Sequence, residues 1–349
     1  MQSRLCGVRI RVFAAAAGLA LTAALASAAA AQDKTFDLKI SHWVPPTHPL
    51  QKSLEEWGAS VEKASGGTIK SKVFPSQQLG KAFDHYDMAR DGIADLTYIN
   101  TGYQPGRFPI VGAGELPFLM ANGVGGTQAF DAWYRKYAGK EMNDVKFCLA
   151  FVHDPGSFHS RTKKIVAPED IKGMKIRPAQ ATIASFVTQL GGTNVQAGAP
   201  EVRDVIEKGV ADAVTFPWGS IPLFGIDKVV KYHMDAPLYV SNFALVFNKD
   251  KYDQMSPGQK KVIDDHCTNE WAMRIAKPWA EFEHGGIAKL KAEPGHDVYP
   301  ITAEQLAQWK KAAEPLEKAW ADNVRKTGVD PAAAMKELRD ALEKANAAY

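Results

Sequence analysis

Strands alternating with helices, in one order that occurs twice, predict an α/β chain of two lobes with like topology, each a parallel sheet covered by helices. Three observations carry this expectation. Period-two and period-3.6 apolar patterns take turns from Phe36 to Trp218. The segments "GGT" and "GIAD" of the first half return as "GGT" and "GVAD" at corresponding places in the second. Beyond them a helical pattern of roughly 35 residues exceeds an ordinary domain helix and is long enough to lie across both lobes.

The elements follow in order. "FDLKISHWVPP" (36 to 46) reads as a strand ended by proline, and Leu50, Leu54, Trp57 and Val61 then fall on one helical face. "SGGTIKSKVFP" is a second strand, a helix runs from about Gly80 to Arg90, and "DGIADLTYIN" is turn and third strand. In the second half "GMKIRPAQ" is the strand, 182 to 190 a helix, "GGTNVQAGAP" the second strand and 200 to 208 a helix, with "KGVADAVTFPW" closing the unit. Two segments pass between the units. "KFCLAFVHDPG" (146 to 156) breaks at Asp154 to Gly156, and "DAPLYVSNFALVFNK" (235 to 249) reads as one long strand, so both serve as hinge crossings. Ser256, Pro257 and Gln259 form a capping-box start to the long helix, in which Pro278 is expected to make a kink. The tail from Thr302 is an Ala/Lys/Glu-rich helix. The expected division is 32–154 plus 243–285 for the first lobe and 155–242 plus 286–349 for the second.

Residues 1–31 have the order of a secretory signal peptide: Arg4, Arg9 and Arg11, an apolar run, then small residues, with cleavage expected after Ala31. Three of the 42 Lys and Arg lie in that leader, which leaves 39 against 39 Asp and Glu. A neutral chain without basic runs argues against a nucleic-acid or membrane-surface partner. Only Cys148 and Cys267 follow the leader, too few for a disulfide scaffold, although one bridge is open to them. Enzyme signatures are missing from the sequence: "GAGELP" has Pro117 where a dinucleotide fingerprint needs its third glycine, and neither GxSxG nor HExxH occurs. The histidines fit no metal-ligand spacing, and nothing calls for a cofactor or metal.

In parallel sheets ligands bind beyond the carboxyl ends of the strands. Those ends carry Trp43, Asn100 and Thr101 in the first lobe, and Arg177 with Phe216 to Trp218 in the second. Arg177 ends a strand at Pro178, and its guanidinium offers the paired donors that match a carboxylate.

"FPSQQLGKAFDHYDMARDGIADLTYI", "GELPFLM", "APEDIKGMKIRPAQ", "APEVRDVIEKGVADAV" and the long C-terminal helix together resemble the periplasmic receptors of tripartite ATP-independent periplasmic (TRAP) transporters, of the dicarboxylate-receptor (DctP) type. The likeness runs through nearly the whole chain after the leader. It implies a clamshell that binds an organic acid between its lobes and delivers it to a small and a large membrane subunit. It also implies that the arginine of "GMKIR", Arg177, clamps the carboxylate. Sialic-acid-binding members carry a further arginine and an asparagine where this chain has Ser157 and Phe216, so a second fixed charge is replaced by a hydroxyl and a ring. Trp43, Tyr103, Phe216 and Trp218 either add flat apolar surface around a single clamp or pack the lobe interiors. Asn100, His48 and His159 are left for a distal polar group, with His48 alternatively capping the helix after it. The expected ligand is an aromatic monocarboxylate of the hydroxycinnamate or benzoate type. Small aliphatic 2-oxo or 2-hydroxy acids are the alternative within the class, and a secreted α/β hydrolase or a structural envelope protein lies outside it.

Overall fold

The computed structural model describes residues 33–349, so the signal-peptide expectation lies outside the described residues. Strands β1 (Phe36–Ser41), β2 (Ile69–Phe74), β3 (Leu96–Asn100) and β4 (Lys146–Val152) precede β5 (Ser157–Ser160), β6 (Lys175–Arg177), β7 (Thr193–Asn194), β8 (Ala213–Phe216) and β9 (Tyr232–Asp235). The chain returns through β10 (Asn242–Phe247) and adds β11 (Asp297–Pro300). They form a five-stranded sheet, order β2-β1-β3-β10-β4, and a six-stranded sheet, order β11-β9-β5-β8-β6-β7.

The repeat seen in the sequence is a repeat of topology. β1 pairs in parallel with β2 and β3, and β6 pairs in parallel with β7 and β8, so each unit presents its strands in the order second, first, third. Each sheet then takes one antiparallel strand delivered by a crossing, β10 beside β3 in the first and β5 beside β8 in the second. Because these strands run against the parallel ones, their first residues lie at the same edge as the parallel strands' carboxyl ends. The two crossings, 153–156 and 236–241, touch each other: Gly156 N–H donates to the Tyr239 carbonyl at 2.9 Å. A Cβ on Gly156 would lie 2.7 Å from the Phe216 carbonyl oxygen, so this close approach admits only glycine.

The helix Pro49–Ala64 buries Leu50, Leu54, Trp57 and Val61, the stripe the spacing predicts. The expected long strand at 235–249 begins on the last residue of β9, crosses at 236–241 and becomes a strand only at β10, because the segment around Pro237 turns from one sheet to the other. The expected helix of the C-terminal third is three: Pro257–Asp265, Asn269–His284 and Gly286–Ala292. Thr268 starts the second of these as its N-cap, accepting from Trp271 N, and Pro278 sits inside that helix without ending it. The second and third helices together still pass from one sheet to the other. Ser53 of the first-sheet side bonds Ile275 O, and Gly286 lies so close to the backbone of Trp218 and Gly219 that a Cβ there would collide with it. The longest helix, Ala303–Arg325, also bridges: Trp309 Nε1 donates to Val166 O and Trp320 Nε1 to Ile110 O. The last helix, Pro331–Lys344, expected with the second lobe, lies on the first-sheet helix Gly123–Tyr134, where Trp133 Nε1 donates to Ala334 O. Cys148 and Cys267 are joined as a disulfide that ties β4 to the turn before helix Asn269–His284. Among the described residues no helix is long and apolar enough to cross a membrane.

Candidate functional site

The carboxyl ends of β3, β6 and β8 meet the first residues of β10 around an enclosed cavity between the sheets. Its free space is about 30 Å³, room for one or two waters. An organic acid therefore enters only as the walls part.

Arg177 lies at the end of β6, 1% exposed, with Ile176 buried beside it in the sheet. Its Nε donates to the Ala197 carbonyl (2.9 Å) and its Nη2 to the Tyr103 hydroxyl (3.0 Å), which also accepts from Ala199 N (3.0 Å). Its Cζ lies 5.7 Å from the centroid of the Phe216 ring. Among the described residues no carboxylate pairs with this guanidinium, and Nη1 makes no bond within the protein. A buried cation held by a carbonyl, a hydroxyl and a ring face lacks its anion. The Tyr103 oxygen, taking two N–H bonds, has its own proton left to give.

Trp43, Asn100, Arg177 and Phe216, from the strand ends, line this one cavity together with Tyr103 and His48, whereas Thr101 does not. Trp43 stacks obliquely on Tyr98 (4.9 Å) and Tyr103 (5.8 Å), and its Nε1 finds no acceptor. Asn100 Oδ1 accepts from Gly102 N (2.9 Å), while its Nδ2 reaches toward Ala179 O at 3.5 Å, across to the second sheet. His48 is both helix cap and wall. Its Nδ1 accepts from Leu50 N (3.1 Å), so the proton of the neutral ring sits on Nε2; burial drops its pKa to about 3 and keeps it neutral.

Ser157, His159 and Trp218 are not at the cavity. β5 runs antiparallel to β8 with Ser157 opposite Phe216 at the ligand edge and His159 opposite Val214, two steps farther from it; Ser157 stands at that edge without lining the cavity. His159 is committed behind the wall. Its Nε2–H donates to Phe216 O (3.0 Å), its Nδ1 accepts from His233 Nδ1 (2.8 Å), and His233 Nε2 meets His296 Nδ1 (2.8 Å). The Trp218 ring packs edge-on against His159 at 4.8 Å; β8 ends at Phe216, so the strand's period of two does not continue through Pro217 to Trp218.

The sequence reading missed the hinge side of the cavity: His153, Tyr239, Phe243 and Trp279, with Ser220. Phe243 stands at the start of antiparallel β10, a position that strand direction alone identifies. His153 is satisfied internally, Nδ1–H donating to Asp154 O and Nε2 accepting from Ser241 N, and burial lowers its pKa to about 4. Trp279 lies in a helix that reads as ordinary core from its spacing.

Two sheets joined by paired crossings, with an unpaired buried arginine among aromatic rings between them, define a solute-binding receptor for an organic anion. The chain belongs to the bacterial extracellular solute-binding proteins of family 7, the DctP family, which it matches over residues 40–323. Among solved structures it is similar to a marine-metagenome TRAP solute-binding protein specific for aromatic acid ligands, in complex with 3-hydroxybenzoate: 32% identity, 90% of this chain and 99% of that one covered, TM-score 0.82. It is similar also to a TRAP solute-binding protein of Rhodoferax ferrireducens holding copurified benzoate, at 27% identity, 89% and 98% coverage and TM-score 0.83. A third likeness is to the Bordetella bronchiseptica TRAP receptor with bound (R)- and (S)-mandelate, at 26% identity, 88% and 99% coverage and TM-score 0.83.

Proposed function

We propose that this receptor binds an aromatic monocarboxylate of the benzoate or hydroxycinnamate type and hands it to the small and large membrane subunits of a TRAP transporter after export and loss of residues 1–31. The observation that carries the reading is Arg177, a buried guanidinium without a carboxylate partner, set among Phe216, Trp43, Tyr103, Phe243 and Trp279. One fixed charge and several ring faces match one carboxylate on a flat apolar body. The aromatic acids bound by the three similar structures support the same reading.

The lobes are 32–154 plus 243–285 and 155–242 plus 286–330, with the final helix on the first lobe, and they close about the crossings at 153–156 and 236–241. The free space, about 30 Å³, is too small for either class of acid before the walls part and does not choose between them; the rival ligand is a short aliphatic 2-oxo or 2-hydroxy acid. A thermal-shift screen of the exported chain with aryl and aliphatic acids separates the two, since a ligand at 100 times its dissociation constant stabilises by about 2.7 kcal/mol. Aryl acids should give the largest shifts. Shifts with short aliphatic acids alone would replace the aryl reading, and conversion of any bound acid to product would point to an enzyme instead.

A further inference from the structure

Ser220 and Trp279 share the cavity wall and are both bonded to one carboxylate, Glu283, which is 1% exposed. Ser220 N–H donates to Oε2 (2.8 Å), Trp279 Nε1–H donates to Oε1 (2.6 Å), and the Ser220 hydroxyl bonds Oε1 as well. The two N–H groups can only donate, so the network favours the ionised carboxylate, while burial works the other way and lifts its pKa to about 7. Against an ionised Glu283 the Ser220 hydroxyl must also donate. Its proton is then spent, and only its lone pairs remain for the cavity. The titratable rings around this unit are His48 and His153, which pack on Trp279 at 4.8 and 5.8 Å, with Tyr98 and Tyr239 within reach of the Glu283 charge.

Arg177 and Ser220 both line the cavity, and Arg177 shares no hydrogen-bond partner with the Ser220–Glu283 unit, so the two are separate polar points of one cavity. We propose that Glu283 sets the receptor's choice at the second point: through Ser220 it presents an acceptor oxygen to a ligand hydroxyl, and its charge repels a second carboxylate. Hydroxylated monocarboxylates are thereby selected over dicarboxylates. The inference rests on the cavity being an organic-acid site with Arg177 as its carboxylate clamp. In a closed cavity of low dielectric both effects are large, because a carboxylate facing the Ser220 lone pairs gains no hydrogen bond and meets a like charge behind them.

Titration calorimetry of the wild type, Ser220→Ala and Glu283→Gln with benzoate, 3-hydroxybenzoate and isophthalate tests this. The wild type should prefer the hydroxybenzoate to benzoate by about tenfold, the worth of one buried hydrogen bond, and bind isophthalate least. Ser220→Ala should abolish the hydroxyl preference. Glu283→Gln removes the charge behind the serine while keeping an amide oxygen for its partners, so the penalty on a second carboxylate falls and isophthalate binding should rise. Wild-type affinity for isophthalate equal to that for benzoate, or an undiminished hydroxyl preference in Ser220→Ala, overturns the proposal. Thermal unfolding checks the fold of Glu283→Gln, and if that variant fails to fold, Ser220→Ala carries the test. If no aryl acid binds the wild type, the aryl reading fails by itself, and propionate, 3-hydroxypropionate and malonate pose the same three-way contrast to the same variants.

Discussion

Arg177 was legible in the sequence because three signals converge on it: a strand of period two, a proline immediately after, and the matching place in a repeated unit. What the sequence could not show is how it is held. The Tyr103 hydroxyl fixes Nη2 and at the same time satisfies Ala199 N, so one atom from the first-sheet side orders two groups of the second. Tyr103→Phe leaves Ala199 N without a partner and the guanidinium less fixed, and affinity for the best acid should fall by about 1 kcal/mol. Arg177→Lys keeps the charge but loses the two-bond fork, and should weaken binding more than Tyr103→Phe does. Calorimetric titration of the two variants ranks them, and native affinity in Arg177→Lys would mean that the fork geometry is idle. Trp279 stayed hidden because a ring on the apolar stripe of a helix has the same pattern whether it faces a core or a ligand.

At the scale of elements, the strands and helices of the two repeated units were readable from the sequence, whereas β5, β9, β11 and the helix Gly123–Tyr134, which lie outside the repeat, were not. Between Ala236 and Phe247 only Ser241 and Asn242 interrupt an apolar run, so periodicity alone did not reveal where the crossing gives way to β10. The break at 266–268 was signalled by Thr268 as an N-cap, overlooked because the apolar stripe continues on either side of it. That break is also where Cys267 reaches Cys148 in β4, closing a loop with a sequence separation of 119. By chain entropy, cross-links over loops of about 100 residues contribute up to about 4.7 kcal/mol. Denaturant unfolding should therefore show a lower midpoint under reduction, while ligand affinity is kept, since neither cysteine lines the cavity. An unchanged midpoint under reduction would contradict the bridge as a stabilising element.

For the whole molecule, burial of many titratable groups ties stability to pH. His42, His48, His85, His153, His159 and His233 all have lowered pKa values, chiefly by burial, so the unfolded chain binds protons there first and stability is lost as pH falls below about 6.5. Glu115, Glu141 and Glu283 are raised to about 7, again chiefly by burial, so the folded chain binds protons there first and stability is gained as pH falls from about 7 toward 4.5; burial raises Asp154 in the same direction. Five imidazoles lowered to about 4 or below, His42, His48, His153, His159 and His233, oppose three carboxyls raised to about 7, Glu115, Glu141 and Glu283, so unfolding should take up about two protons between roughly pH 6.5 and 4.5. The thermal midpoint should decline across that interval and more steeply below it, where the carboxyls no longer compensate. A midpoint that rises on acidification would show that the carboxyls dominate. The two-lobed architecture itself was readable from the repeat, whereas the placement of the last helix on the first lobe was not, because an amphipathic helix does not encode which of two apolar faces it covers.

Closure of both lobes on a carboxylate held by Arg177 is the claim on which the rest depends. Its most direct measurement is calorimetric titration of the wild type and Arg177→Ala with the aryl acid that gives the largest thermal shift. Removing one partner of a buried charge pair should weaken binding by roughly 2 to 5 kcal/mol while the unfolding midpoint of the ligand-free protein changes far less. Arg177→Ala binding that acid with wild-type affinity would contradict the carboxylate clamp.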